Sequence, residues 1–208
     1  MREPWAIGAE SIIFKIIQGG NFFLLKHRPK KTYLLSAIDS SLRALRTSRE
    51  CKMLAVARTL GVPTPAVYAL DKTNHALLMD YIEGEQLKNI VDTVSTEVLH
   101  EICYKFGGLI ALLHQGNVIH GDPTTSNVIV DTKSKLWLVD FGLSEMNATT
   151  EMKGVDLHLI QRAFETTHWN YQEIMLKATL EGYKSRMRND AQIIIDRMSE
   201  IRERGRYH

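Results

Sequence analysis

Two stretches hold the side chains best placed to do chemistry together: His120-Gly121-Asp122-Pro123-Thr124-Thr125-Ser126-Asn127 and Asp140-Phe141-Gly142. Between them lie two short apolar runs, residues 128–130 and 136–139, around the turn-prone segment 131–134. That pattern predicts a β-hairpin. Such a hairpin keeps Asp122 and Asn127 at its open end and brings Asp140 back beside them. Two carboxylates and an amide converging at one point suit Mg²⁺ held against phosphate oxygens, while a further group orients the nucleophile. An isolated Asp or Asn more often serves a turn or a cap. Both pieces, in this order and across a hairpin, favour the metal and phosphate chemistry.

The interval from Asp122 to Asn127 is the D-x-x-x-x-N spacing of a kinase catalytic loop, and Asp140-Phe141-Gly142 supplies its D-F-G. In that reading Asp122 orients or deprotonates the attacking hydroxyl or water, and Asn127 and Asp140 hold the metal. Gly121 stands where most protein kinases carry an Arg that reads a phosphorylated activation loop, and Thr124 where Ser/Thr kinases carry a Lys. Without that guanidinium a phosphate has no bidentate partner. Only thirteen residues separate Gly142 from Asp156, and no Ala-Pro-Glu anchor follows. The peptide-docking platform is expected to be reduced. Asp156, expected to open a helical pattern through Phe164, is either an ordinary charge at a helix N-terminus or a tether for the catalytic-loop backbone.

The elements that must position these groups are readable on either side. Residues 11–18 and 22–26 predict a hairpin turned by Gly19-Gly20-Asn21. Gly8-Ala9-Glu10 precedes it, where a kinase keeps its phosphate loop, although the G-x-G-x-x-G pattern is absent. Lys26 closes the second strand. A helix is expected over residues 42–60, stopped by Gly61, with Glu50 on the same face as Met53, Leu54 and Ala57. A carboxylate on an apolar face needs a cation. Lys26 is the preferred partner and Arg46, one helical turn away, the alternative. Residues 76–81 predict a strand leading to a hinge, where the backbone of Asp80 and Ile82 would meet adenine and Met79 would lie behind the ring. Residues 95–114 predict a helix with Thr96 as its cap. Its apolar stripe is Leu99, Ile102, Phe106, Leu109, Ile110 and Leu113, and His114 is a structural residue near its end. Helices over residues 171–184 and 191–202 follow, then a basic tail read as mobile. The expected fold is α+β: a pared-down, two-lobed, protein-kinase-like fold with a β-rich N-lobe (residues 1–82) and a helical C-lobe (residues 83–208).

Composition sets the outer limits. The chain has 208 residues, 44% hydrophobic and 24% charged, enough for a real core, and a formal net charge of +2 that gives no global field for nucleic acid. Residues 26–58 nevertheless hold nine Lys/Arg against two Asp/Glu. A solvated face is the ordinary reading of such a run, and a patch for RNA or an acidic partner is the alternative. Cys51 and Cys103 have no metal-ligand spacing and read as inert thiols of a reducing, intracellular compartment. No apolar run approaches membrane length, and residues 1–5 lack a signal peptide's apolar region. A cytoplasmic protein is expected, also nuclear if the source is eukaryotic.

Several segments together resemble the small atypical kinase of the KEOPS complex, the PRPK family. They are Gly8-Ala9-Glu10, the basic turn from Lys26 to Tyr33, Thr47-Ser48-Arg49-Glu50, and Gly61-Val62 with Pro65. The loop His120 to Asn127, Asp140-Phe141-Gly142-Leu143-Ser144, Lys153-Gly154-Val155-Asp156-Leu157, Thr167-His168 and the closing Ile201-Arg202-Glu203-Arg204-Gly205-Arg206 complete the set. The His-Gly-Asp loop alone also fits RIO kinases and aminoglycoside phosphotransferases. The resemblance implies ATP and Mg²⁺, Ser/Thr autophosphorylation, and ATPase activity inside a complex that makes threonylcarbamoyladenosine in tRNA. It implies two partners: the large subunit that transfers the threonylcarbamoyl group and a small helical subunit. It assigns catalytic roles to Lys26, Glu50 and Asp122, and metal binding to Asn127 and Asp140. Nucleotide contact falls to Gly8, Ala9, Glu10, Lys26, Met79, Asp80 and Ile82. Ser11, Pro123 and Met152 depart from the family pattern, and Pro123 bears on the loop because it removes an N–H and favours extended geometry at Asp122.

The leading expectation is an ATP-dependent phosphotransferase and ATPase that serves tRNA modification as a regulatory subunit. Its competitors are a free-standing RIO-like kinase or small-molecule phosphotransferase, and a nucleotide-binding scaffold. Arg202, Arg204 and Arg206 suggest a tail that grips the tRNA backbone, or one docked on the protein's own C-lobe.

Overall fold

The computed structural model describes residues 3–206. Strands β1 (Ala6–Ile7) and β2 (Ile12–Gln18) are antiparallel, joined by a turn in which the Gly8 N–H donates to the Ser11 carbonyl at 2.8 Å. Strand β3 (Asn21–His27) returns through Gly19 and Gly20 at φ 58° and 80°, left-handed values that a hairpin turn demands and glycine supplies without strain. After α1 (Ser36–Thr59) come β4 (Val67–Asp71) and β5 (Ala76–Asp80), and the sheet order is β1-β2-β3-β5-β4. The register pairs Ile13 with Lys26, Lys26 with Leu77, Lys15 with Leu24, and Leu24 with Met79. Side chains alternate along a strand, so these residues share one face.

Helix α1 begins six residues earlier than the expected 42. The cause is Asp39, buried in its first turn, which accepts from the Lys31 N–H at 3.0 Å and pairs with Arg43 one turn on at 2.7 Å. The inner face buries Glu50, Met53, Leu54 and Ala57, while Leu35, Ile38, Leu42 and Leu45 stay exposed.

The helical half starts at β6 (Gly84–Gln86) and the short α2 (Leu87–Ile90). Then come α3 (Thr96–Gln115), β7 (Val118–Ile119), β8 (Val128–Asp131), β9 (Leu136–Leu138) and β10 (Glu145–Met146). Helices α4 (Thr150–Thr167), α5 (Gln172–Met187) and α6 (Ala191–Arg206) close the chain. The expected hairpin is formed: β8 pairs β9, β6 adds to β8, and β10 pairs β7. Helix α3 is capped by Ser95, whose hydroxyl accepts from the Val98 N–H, rather than by Thr96. Its stripe is buried as expected except for Leu109, which is half-buried. It crosses α5 at Gly107 and Gly182, where a Cβ would collide with the carbonyls of Thr179 and Tyr104. Fully buried Phe106, Leu113, Phe141, Leu157, Phe164 and Tyr183 fill the core beneath the catalytic loop. Each such side chain contributes roughly 1.5–3 kcal/mol of apolar burial. No helix among the described residues is long and apolar enough to cross a membrane.

Two expectations about the C-terminal third need correction. Helix α4 starts at Thr150, capped by the Thr149 hydroxyl, so Asp156 lies inside the helix rather than opening it. The tail read as mobile is helical as far as Arg206: α6 continues to that residue, and Arg202 and Arg204 are paired with Glu165 and Glu151 at 2.8 and 2.9 Å. Tyr207 and His208 lie outside the described residues.

Candidate active site

The catalytic loop is fastened from below by one carboxylate. Asp156 Oδ2 accepts from the His120 N–H at 2.7 Å and Oδ1 from the Gly121 N–H at 2.9 Å, so it is a tether for the loop backbone. His114 Nε2 lies 3.3 Å from Asp156 Oδ2, and its Nδ1 lies 2.9 Å from the Tyr183 hydroxyl. A carboxylate only accepts, so His114 donates through Nε2 and accepts the tyrosine proton at Nδ1, a neutral imidazole satisfied on both sides. Burial holds the His114 pKa below its usual value despite the neighbouring carboxylate. His120 follows the same logic: Nε2 donates to the Val139 carbonyl at 3.1 Å and Nδ1 accepts from the Asp122 N–H at 3.3 Å. Burial lowers its pKa too.

Above this support Asn127 Nδ2 donates to the backbone and side-chain oxygens of Asp122 at 2.9 and 2.8 Å. Pro123 is accommodated, because the Thr124 N–H bridges past it to the Asp122 carbonyl at 2.8 Å. Gly121 has φ 84°, and a Cβ there would strike the Leu143 backbone. No arginine fits that position, which accounts for the departure from the usual His-Arg-Asp. Asp140 also has a left-handed backbone, at φ 62°. For a non-glycine residue this conformation is uncommon.

The facing wall belongs to β3 and α1. Lys26 Nζ lies 2.7 Å from Glu50 Oε1 and 2.9 Å from Asp140 Oδ1. Burial alone would lower the Lys26 pKa, but Glu50 and Asp140 more than reverse it and leave it above the ordinary lysine value. Burial would raise the Asp140 pKa, and Lys26, then Arg28, hold it below the usual carboxylate value. Arg46 is not the partner of Glu50; it turns to Glu10 instead. The second cation on Glu50 is Arg28, whose Nη2 lies 2.6 Å from Oε2. Nothing in the sequence distinguished Arg28 from the rest of the basic run. That run is a surface patch only in part, since Lys26 and Arg28 are buried and Arg43, Arg46 and Arg49 are paired with Asp39, Glu10 and Glu145.

The remaining expected residues are more dispersed. Gly8, Ala9 and Glu10 form an exposed turn whose Ala9 carbonyl accepts from Lys31 and whose Glu10 carboxylate pairs with Arg46. Met79 is buried on the Lys26 face of the sheet. The Asp80 N–H donates to the Ala66 carbonyl at 3.0 Å, and its carboxylate accepts from the Ala66 N–H and the Tyr68 hydroxyl at 2.8 and 2.7 Å. Ile82 is half-buried after the strand. Beside it Tyr81 stacks edge-on with Trp5 and Phe22, and the Lys15 ammonium lies 3.8 Å from the Tyr81 ring centroid. The sequence reading missed this cluster, although alternation places Lys15 on the Lys26 face.

Among the described residues no three His, Cys, Asp or Glu side chains gather into a metal cage. Mg²⁺ does not require one, because one or two protein oxygens suffice when phosphates and water complete the octahedron. Both amide hydrogens of Asn127 are engaged on Asp122, which leaves its Oδ1 as an acceptor. The Asp140 side chain is 46% exposed. An oxygen-only pair beside a buried lysine fits Mg²⁺ and phosphate.

A sheet lobe with a Lys–Glu pair, facing a helical lobe with a D-x-x-x-x-N loop and a D-F-G, defines a protein-kinase-like fold. The solved Rio2 kinase-ADP/Mg²⁺-phosphoaspartate complex from Chaetomium thermophilum shares it, with a TM-score of 0.65 over 98% of this chain and 70% of that one, at 16% identity. The RIO domain family model matches residues 28–175. KEOPS complex subunit Bud32 from Pyrococcus abyssi is 40% identical over 185 residues, 88% of this chain and 84% of that protein. A probable bifunctional tRNA threonylcarbamoyladenosine biosynthesis protein from Methanosarcina mazei is 36% identical over 202 residues, but this chain spans only 35% of it. The chain therefore belongs to the RIO-domain family of atypical kinases, in the branch that includes the Bud32 subunit.

Proposed function

We propose that the protein is an ATP- and Mg²⁺-dependent atypical Ser/Thr kinase and ATPase, working as a regulatory subunit of a KEOPS complex in tRNA threonylcarbamoyladenosine modification. The observation that carries this is the Lys26 ammonium held between Glu50 and Asp140, opposite an Asp122 fixed by Asn127. When bound, Mg²⁺ neutralises the charge on the phosphates and the leaving group. Asp140 and Asn127 Oδ1 are the groups to hold it. Lys26 stabilises phosphate oxygens, and Glu50 keeps Lys26 extended. Asp122 orients the attacking hydroxyl or water. Met79 backs the adenine, and the Asp80 carbonyl and Ile82 N–H meet its edge. The turn at Gly8, Ala9 and Glu10 covers the phosphates.

The partners proposed are the threonylcarbamoyl-transferring subunit and the small helical subunit. Contact with tRNA is proposed through the basic C-terminal end, where Arg202 and Arg204, though paired with Glu165 and Glu151, stay 40% and 58% exposed. The test is phosphate release from Mg²⁺–ATP by the purified chain, alone and with the transferring subunit, with and without tRNA. Turnover that rises with the subunit and needs Mg²⁺ supports the reading; none under any condition overturns it.

A further inference from the structure

Glu50 is bonded on each oxygen by a different cation: Oε1 by Lys26 at 2.7 Å and Oε2 by Arg28 at 2.6 Å. Only Lys26 also reaches Asp140. Arg28 follows β3 by one residue and is 3% exposed, so it is an interior residue. Its Nη1 lies 3.4 Å from the Thr47 hydroxyl, and its Nη2 lies 3.0 Å from the point where a Cβ on Gly142 would fall. The guanidinium is thus wedged between α1 and the Asp-Phe-Gly segment.

Lys26, Arg28 and Glu50 are buried and, with the half-exposed Asp140, form a set of two cations and two anions. In many kinases the position of the Glu helix depends on activation-loop phosphorylation. Here Gly121 replaces the arginine that would read such a phosphate, and the catalytic loop leaves no room for one. Some other group must keep α1 in place once Lys26 and Asp140 are occupied by ligand. A buried carboxylate sharing its one ammonium with a polyphosphate would be poorly compensated.

We propose that Arg28 is a positioning residue that holds Glu50, and through it α1, while Lys26 and Asp140 are engaged with nucleotide and metal. This rests on the kinase reading above. Arg28 itself stays off the nucleotide, because both its paired nitrogens face α1. The device makes the active position of α1 a built-in property of the fold, with no modification needed.

The test is amide hydrogen exchange over residues 47–54 of α1, with and without saturating Mg²⁺–ADP, and calorimetry of Mg²⁺–ADP binding. In the natural protein the nucleotide leaves exchange unchanged. In Arg28→Met exchange stays close to natural without ligand, because Lys26 still holds Glu50, and rises about tenfold or more with Mg²⁺–ADP. Arg28→Lys, which keeps the charge but one donor group, returns exchange to within about threefold of natural. Equal exchange with and without Mg²⁺–ADP in Arg28→Met, whether fast or slow, overturns the proposal. So does a loss of Mg²⁺–ADP affinity beyond about tenfold, which would make Arg28 a phosphate ligand. If Arg28→Met does not fold, Arg28→Gln, which also removes the charge, carries the test, and the absence of a ligand-dependent rise in it overturns the proposal. An absence of Mg²⁺–ADP binding by the natural protein is a different failure: the kinase reading falls, and this inference with it.

Discussion

The two walls of the cleft are held by opposite kinds of chemistry. The wall under Asp122 is a hydrogen-bonded buttress: one carboxylate, Asp156, carries two backbone N–H groups and a neutral histidine, over a packed apolar core. Every polar group named there has a fixed partner, so the loop is set before any ligand arrives. The wall under Lys26 is a chain of ion pairs, Arg28–Glu50–Lys26–Asp140. In the function proposed above, Lys26 and Asp140 are each other's partners only until phosphate and metal compete for them. On that reading one wall is pre-organised, and the other exchanges partners.

The largest effect expected from this contrast is on the ionic wall. Lys26→Ala removes one donor from the developing phosphoryl charge, which typically costs ~3 kcal/mol, a loss of turnover of roughly a hundredfold or more. The fold survives, because Arg28 still holds Glu50. Steady-state ATP hydrolysis with thermal melting checks both halves, and a change of only a few-fold would mean Lys26 is not at the phosphates.

The buttress gives the next effect, and of the other kind. Asp156→Ala leaves the His120 and Gly121 N–H groups and the His114 Nε2–H without an acceptor. Each unsatisfied buried group costs roughly 1–3 kcal/mol. Melting should fall by several degrees along with turnover. Lost turnover at unchanged stability would place Asp156 in the chemistry rather than beneath it.

Acid separates the walls more gently. His114 and His120 have pKa values lowered by burial, and both are neutral in the fold. A depressed folded pKa contributes stability that is fully present above the unfolded value of about 6.5 and is lost as pH falls through the folded value. Stability should therefore decline from about pH 6.5 downward. His114→Gln should flatten part of that decline in a pH series of melting curves; an unaltered profile would mean the buttress is not its source.

Much of the site was legible because its geometry is local. The Asp122-to-Asn127 interval and the hairpin of β8 and β9 need only turn chemistry and alternation. The Lys26–Glu50 pair was reached through the apolar face of α1, which leaves a carboxylate in need of a cation. Arg28 was not legible, since in sequence it is one of nine cations in a run, and its burial depends on where α1 lies against β3. The extent of α1 was missed because Asp39 binds the turn before it. The helical course of the tail was missed because Glu151 and Glu165, which pair with it, are distant in sequence. Those surface pairs predict the smallest effect. Arg202→Ala and Arg204→Ala should each lower the melting temperature by less than about 3 °C. A larger loss would make α6 a structural brace of the C-lobe.

Asp140 is where the two walls meet, and it gives the most direct test of the central claim. ATP turnover by the natural protein and by Asp140→Ala, titrated with Mg²⁺ in the presence of the transferring subunit, should differ completely. The natural protein saturates with metal, and the variant, folded by circular dichroism, shows no metal-dependent turnover at any concentration. Undiminished turnover in Asp140→Ala at saturating Mg²⁺ would contradict the account.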